Sequence, residues 1–387
     1  MRKLSTPADR WVTTPNNDTL LSSAWLDLST GPVVLTVPDT AGRYYSVALI
    51  DSYTNNFAIL GRRTTGTRAG EFVVVGPRWG GTLPETRRVL RAPTDDVLVF
   101  VRVLVDGDAD LPAARAIQDT IRLAPLDPGP AAPGWAPATA APTTPDSREY
   151  LELVNAMLER NPPPAHEAAR VEAFAAVGVG GARCAWDALA PEVRQRWSRE
   201  LAGLYALLRD RTRMIGAPTP LDRPPIPGWS AGRATMGDWG TDYAYRAFVA
   251  LGGLLALPHA EAIYLAANAD ATRAPLDGRH RYRLRIPAQG LPVDAFWSLT
   301  LYQVEPDGRR FLVENPLGRY SIGDRTPGLR HGPDGSLDLA IQHPTPADAA
   351  NWLPAPSGRF DLFLRAYQPR ADFLDGRVPL PPVERID

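Results

Sequence analysis

Two short stretches carry most of the side chains that could do chemistry. "TPNNDTLLSSAW" (Thr14–Trp25) places Asn16, Asn17, Asp18 and Thr19 ahead of a strand-like run. "DSYTNNFAILGRR" (Asp51–Arg63) follows with Asp51, Tyr53, Thr54, Asn55, Asn56 and Arg62. A carboxylate beside a phenol and carboxamides can move a proton and meet developing oxyanion charge. Asp51 is the candidate general acid or base, and Tyr53 its catalytic companion. Asn17, Asn55 and Asn56 would bind substrate. Arg246, Arg319 and Tyr320 would hold an acidic or carbonyl group, and Trp297 and Trp352 would form apolar walls. Asn and Asp also favour turns, because their side chains bond nearby backbone. On pattern alone a pair of turns and a single polar site stand equally, although loops at one end of a sandwich lie together.

Other motifs carry less. "GWSAG" (Gly228–Gly232) has the letters of a nucleophile elbow, but "DRPPIP" precedes it and proline cannot serve the central strand that motif needs. An accidental loop explains Ser230 better. "DGDAD" (Asp106–Asp110) lacks the glycine and final glutamate of a calcium loop, and reads as a strand-end turn plus a helix cap at Asp110. "VGVGG" (Val177–Gly181) lacks the glycine spacing of a dinucleotide fingerprint, so a connection between helices is expected. The five histidines (His166, His259, His280, His331, His343) never pair at metal-ligand spacing, so no metal is expected. Lys3 is the sole lysine, which argues against Schiff-base, PLP and P-loop chemistry, and no cofactor signature is present.

The elements that must position these residues follow a β–α–β order. "PVVLTVPD", "RYYSVALID", "EFVVVGP" and "DVLVFVRVLVDG" are β-branched runs separated by turn residues, as in an antiparallel sandwich. One helix is expected over "DADLPAARAIQDTIRL". A Pro/Ala-rich linker over 125–146 follows. The helices are "SREYLELVNAMLERN", a long one ending at Gly216, and a central one over "DWGTDYAYRAFVALGGLLAL". The long one carries a stripe of Trp197, Leu201, Leu204, Tyr205 and Leu208, expected to be buried. The last third returns to strands. In it Phe296, Ser298, Thr300 and Tyr302 alternate with Trp297, Leu299 and Leu301, which predicts a sheet with two different faces.

The bulk numbers agree with a soluble chain of several cores. It has 387 residues, net charge −1, 44% hydrophobic and 22% charged residues. No basic stripe suggests nucleic acid, and no apolar run reaches the ~20 residues that span a bilayer. The single cysteine, Cys184, excludes an internal disulfide and fits a reducing compartment.

The long phrase from Thr14 to Thr67, with "DAFWSLTLYQ", "ENPLGRYSIGD" and "NWLPAPSGRFDLFLRAYQP", resembles a linked pair of bacterial domains, numbers 1254 and 1214 of the domains-of-unknown-function series. The resemblance covers nearly the whole chain. It implies an N-terminal immunoglobulin-like β-sandwich, a helical segment and a C-terminal jelly roll. Such proteins usually carry more chain ahead of the first motif, often with an export signal; this sequence starts almost at the motif, and a cytoplasmic chain is expected.

The expectation is therefore a mainly β protein with a helical middle. It comprises a sandwich over 1–124, a linker over 125–146, helices over 147–257 and a jelly-roll domain over 258–387. The expected function is a cofactor-independent lyase, hydrolase or cyclising isomerase acting on a small oxygenated molecule, with its site between the two β-domains. A non-catalytic binding protein for a small molecule or carbohydrate is the alternative. The partner is a small-molecule ligand, with neither nucleic acid nor membrane; a homo-oligomer is compatible with this.

Overall fold

The computed structural model describes residues 1–127, 146–181, 185–209 and 227–387. Cys184, most of the Pro/Ala-rich linker and the stretch 210–226, which includes the expected helix end at Gly216, lie outside the described residues. The first third forms strands β1 (Thr19–Asp27), β2 (Val33–Val37), β3 (Tyr45–Asp51), β4 (Asn56–Gly61), β5 (Gly70–Val75), β6 (Arg88–Arg91), β7 (Asp96–Leu104) and β8 (Arg122–Pro125). They make two sheets, ordered β1-β7-β3-β4 and β6-β5-β2-β8. Leu35, Val47, Phe72, Val99 and Val101 fill the space between them, as expected for a sandwich whose alternate residues point inward.

The last third forms a second sandwich. Its strands are β9 (Trp229–Ala231), β10 (Ala262–Ala267), β11 (Tyr282–Ile286), β12 (Val293–Val304), β13 (Arg310–Phe311), β14 (Ser321–Gly323), β15 (Leu337–Gln342), β16 (Trp352–Pro354), β17 (Phe360–Pro369) and β18 (Glu384–Arg385). One sheet runs β13-β12-β17-β10-β9, with β14 added on β12, and the other runs β16-β15-β11-β18. Leu284, Leu299, Leu339 and Leu364 lie in the core between them. The mainly β architecture with a helical middle is thus the fold of this chain.

The two sandwiches also pack on each other. β3 is buried at every position. Tyr45, Val47 and Leu49 face their own core. Ala48 and Ile50 instead meet Phe296 of β12 and Tyr367 of β17. Phe296 and Tyr367 stack at 4.2 Å, and Tyr44 meets them edge-on at 5.4 and 5.3 Å. The alternation read in β12 is explained here: Trp297, Leu299 and Leu301 fill the C-terminal core, while Phe296, Ser298 and Tyr302 face the N-terminal domain. Polar groups seal the seam. Buried Glu261 accepts from Tyr44 Oη at 2.9 Å and from Arg63 Nε at 2.7 Å.

The helical middle differs from expectation in detail. Helix α1 (Leu111–Thr120) carries Pro112 in its first turn. Asp110 occupies its N-cap position but gives it no side-chain bond. The Asp110 carboxylate goes instead to the Arg43 guanidinium, with Nη2 at 2.6 Å. Helix α2 (Ser147–Arg160) is capped by a reciprocal Asp146–Glu149 box, and its last residue grips Asp96 through two 2.6 Å bonds. Within α3 (Ala168–Ala173) no residue is buried. In α4 (Pro191–Arg209) only Leu201 of the expected stripe is buried, and Leu204 is exposed. The expected central helix is α5 (Tyr243–Gly252), ten residues long with only Tyr245 buried, because Gly252-Gly253 ends it early. "GWSAG" is not a loop: Ser230 sits exposed on β9, an edge strand paired with β10, and turns rather than a helix follow directly after it.

Gly61 supports a stability prediction. It ends β4 at φ +145°, and an added Cβ would sit 2.3 Å from the Tyr45 carbonyl oxygen. Gly61→Ala is expected to lower stability by about 2 kcal/mol or more, read as a drop in urea midpoint; an unchanged midpoint would show that β3 and β4 can separate at no cost.

Candidate functional site

The seam holds a cleft of about 460 Å³ where the first Asn-rich cluster meets the C-terminal sandwich. Asn16 is the turn former. Its Oδ1 accepts from the Asp18 and Thr19 amides at 2.7 and 3.0 Å, and its Nδ2 donates to Tyr367 Oη at 2.9 Å. That anchor leaves Asn17 and Asp18 free to line the cleft, with Ser298, Arg319, Tyr320 and Arg325 opposite. Asp18 is 3% exposed. Its Oδ2 accepts the Ser298 hydroxyl at 2.7 Å, and its other oxygen takes no hydrogen bond among the described residues. Asn17 Oδ1 is buried without a donor among the described residues. Buried acceptors without donors are rare in folded proteins and await a ligand or a water.

Arg325 also lines the cleft. Its Cζ lies 4.3 Å over the Phe296 ring, and Nη1 donates to the Val105 carbonyl at 3.1 Å. Beside it, burial raises the Asp324 carboxyl to about 6; Arg325 opposes this and the like charge of Asp18 reinforces it. The unfolded value is 3.8, so folding favours the protonated form. The stabilisation is therefore complete below pH about 4 and gone above pH about 6. The melting temperature of the wild type is expected to fall across that window relative to Asp324→Asn; parallel profiles for the two proteins would contradict it.

Chemically, the cleft presents acceptors (Asp18, Asn17), hydroxyls (Ser298, Tyr320) and guanidiniums (Arg319, Arg325), with Asp106 and Asp108 at its edge. Three aspartates against two arginines leave no excess positive charge for an anion, so the site suits a neutral hydroxylated or carbonyl compound. Among the described residues no three of His, Cys, Asp and Glu come together in a group that could hold a metal ion.

The residues singled out in the sequence divide between several places. Asn17, Arg319 and Tyr320 line this cleft. Asp51 and its companions do not. Thr19 pairs with Leu104, whereas Asp51 pairs with Val97 of the same strand. Asn17 and Asp51 thus stand at opposite ends of the sheet, with the seven residue steps from Val97 to Leu104 between their levels spanning roughly 23 Å at the rise of a strand. Arg319 and Tyr320, expected at one site with Asp51, line the cleft beside Asn17 instead. Asp51 Oδ1 accepts the Tyr53 and Asn55 amides, both at 2.9 Å, and Oδ2 accepts Asn55 Nδ2 at 3.2 Å. Burial raises the Asp51 carboxyl. Tyr53 Oη donates to the Asn161 carbonyl at 2.7 Å, and burial pushes its phenol up to about 12. Arg246 lies 5.9 Å over the Tyr53 ring. Asn56 Nδ2 ties the hairpin to the Gly237 and Ala256 carbonyls at 2.9 and 2.8 Å.

Two aromatic assignments need correction. Trp297 and Trp352 are core residues, 3% and 1% exposed, not cleft walls. Arg319 lines the cleft but also spends Nη1 on the Ala349, Ala350 and Trp352 carbonyls at 2.9–3.1 Å, bracing the loop before β16. Sequence reasoning did not select Asp18, Ser298 or Arg325 as site residues. The signal was present in the Asn-Asn-Asp run and in the serine on the polar face of β12.

Asp51→Ala is expected to cost about 2 kcal/mol, since it strips acceptors from amides in a buried turn. Binding in the Asp18 cleft should be unchanged; loss of that binding in a folded variant would rejoin the two clusters.

The family described as "Protein of unknown function (DUF1254)" matches residues 1–125, and "Protein of unknown function (DUF1214)" matches 261–371. No curated protein matches the chain. A crystal structure of a protein from Vibrio parahaemolyticus is similar over 96% of this chain and 90% of its own, with 26% identity and a TM-score of 0.74. An uncharacterized protein from Burkholderia cenocepacia is 12% identical, covers 97% of this chain and 78% of its own, and has a TM-score of 0.46.

Proposed function

Since the chain belongs to the linked DUF1254 and DUF1214 families, which carry no activity to transfer, we propose from its own geometry that it is an acid/base enzyme. Its substrate would be a small, neutral, oxygenated molecule held between the two sandwiches. The observation that carries this is Asp18: a buried carboxylate lining a cleft, with one oxygen held by Ser298 and the other without a donor among the described residues. Asp18 takes a proton from an attacking water, a substrate hydroxyl or an activated carbon. Tyr320 and Asn17 orient the substrate, and the Arg325 guanidinium offsets charge as it develops. Lyase, hydrolase and cyclising isomerase steps all begin this way. The single cysteine, which fits a reducing compartment, supports a cytoplasmic setting.

The test is a proton-NMR time course with three probes: a six-membered lactone, a β-hydroxyketone and a hydroxy-epoxide. They report hydrolysis, elimination and cyclisation. Turnover of at least one is expected, with loss in Asp18→Asn and retention in Asp51→Asn. Saturable binding without turnover would leave a ligand-binding protein, and turnover lost only in Asp51→Asn would return the chemistry to the hairpin.

A further inference from the structure

A second cleft of about 490 Å³, lined by Thr14, Pro15 and Asn16, shares no lining residue with the first among the described residues. Two arginines at its wall are buried. Arg102, on β7, is 7% exposed, and its Nη1 is buried with no hydrogen-bond partner among the described residues. Its Cζ lies 4.6 Å over the Phe100 ring. Arg365, on β17, is 4% exposed. It donates from Nη1 to Thr300 Oγ1 and from Nη2 to the Thr14 carbonyl, both at 3.0 Å. Neither guanidinium forms an ion pair with a carboxylate of the described residues; Asp18 acts on Arg365 only through space. Arginine is almost never buried without a counter-charge, and an uncompensated buried charge is among the costlier features a fold can carry.

Val12, Phe100, Leu255, Tyr264 and Phe363 also line this cleft, and among the described residues no Asp or Glu does. We propose that it binds an organic acid, a monocarboxylate with a flat apolar body, whose carboxylate meets Arg102 and Arg365 while the hydrocarbon lies among the aromatic side chains. A guanidinium fork matches a carboxylate in geometry and charge. The apolar walls exclude a fully hydrated inorganic anion as the preferred occupant.

The experiment is isothermal titration of the full chain with phenylacetate, with phenylacetamide as its neutral counterpart of the same shape, and with inorganic phosphate. Arg102→Met is compared with the wild type. Phenylacetate is expected to bind the wild type at least 10-fold more tightly than phenylacetamide. Arg102→Met is expected to lose that preference. It should melt at the same or a higher temperature, because an unpaired buried charge has been removed. Equal binding of acid and amide by the wild type, no binding of the acid, or full binding of the acid by folded Arg102→Met would each overturn the proposal. So would displacement of phenylacetate by an equal concentration of phosphate, which would show a general anion site. If Arg102→Met does not fold, the acid-against-amide comparison on the wild type decides alone. Failure of this cleft leaves the Asp18 proposal untouched, because the residues and the ligand charge differ.

Discussion

Asp18→Asn is expected to slow turnover of the accepted probe by ~100-fold or more while moving the melting temperature little. The substitution keeps shape and leaves a carbonyl oxygen where Oδ2 now accepts Ser298 Oγ at 2.7 Å. What it removes is the negative charge and the ability to take a proton, both at a carboxylate only 3% exposed. A turn-forming role predicts the opposite pattern, because a lost turn bond costs ~1 kcal/mol whether or not a ligand is bound. The turn bonds here belong to Asn16, whose Oδ1 receives the Asp18 and Thr19 amides. Asn16→Ala should therefore lower the melting temperature, and Asp18→Asn should not. Full turnover in Asp18→Asn would remove the residue on which the enzyme proposal rests.

Tyr367→Ala should be among the most destabilising single changes, at about 3–5 kcal/mol. Tyr367 is fully buried, stacked on Phe296 at 4.2 Å and edge-on to Tyr44 at 5.3 Å. Its hydroxyl also accepts Asn16 Nδ2 at 2.9 Å, so it holds the turn that places Asp18. Tyr367→Phe keeps the stack and loses the bond, at a cost of roughly 1 kcal/mol. The alanine variant should also loosen the Asp18 cleft, so turnover falls with stability. Denaturant midpoints for the two variants separate stacking from hydrogen bonding; an alanine variant that loses less than the phenylalanine one would show that the seam does not hold the sandwiches together.

The strands were legible in the sequence because β-branched runs and turn residues report a local preference. The two-faced character of β12 was legible as well, since a period of two needs no knowledge of partners. What covers the second face was not. Ser298, Thr300 and Arg365 look like solvent-facing positions until the N-terminal sandwich is laid on them, and Phe296 looks like core of its own domain. The same limit split the proposed site. Asn17 and Asp51 sit in similar loops, but strand register puts them at opposite ends of one sheet, and register is a non-local property. Trp297 and Trp352 show the converse: an aromatic in a motif-rich phrase is as readily core as wall, and only burial decides. Helix α5 was overread because an apolar run gives no length, and its end lay in two glycines.

The most direct measurement is a crystallographic fragment soak of the wild type with small neutral hydroxylated and carbonyl compounds. Fragments are predicted to collect beside Asp18, Asn17 and Tyr320 in the seam, with a donor on Asn17 Oδ1 or the unengaged Asp18 oxygen. Fragments gathered instead at the Asp51–Asn56 hairpin beside Arg246, with the seam cleft empty at saturating concentration, would contradict the claim that the functional centre lies between the two sandwiches.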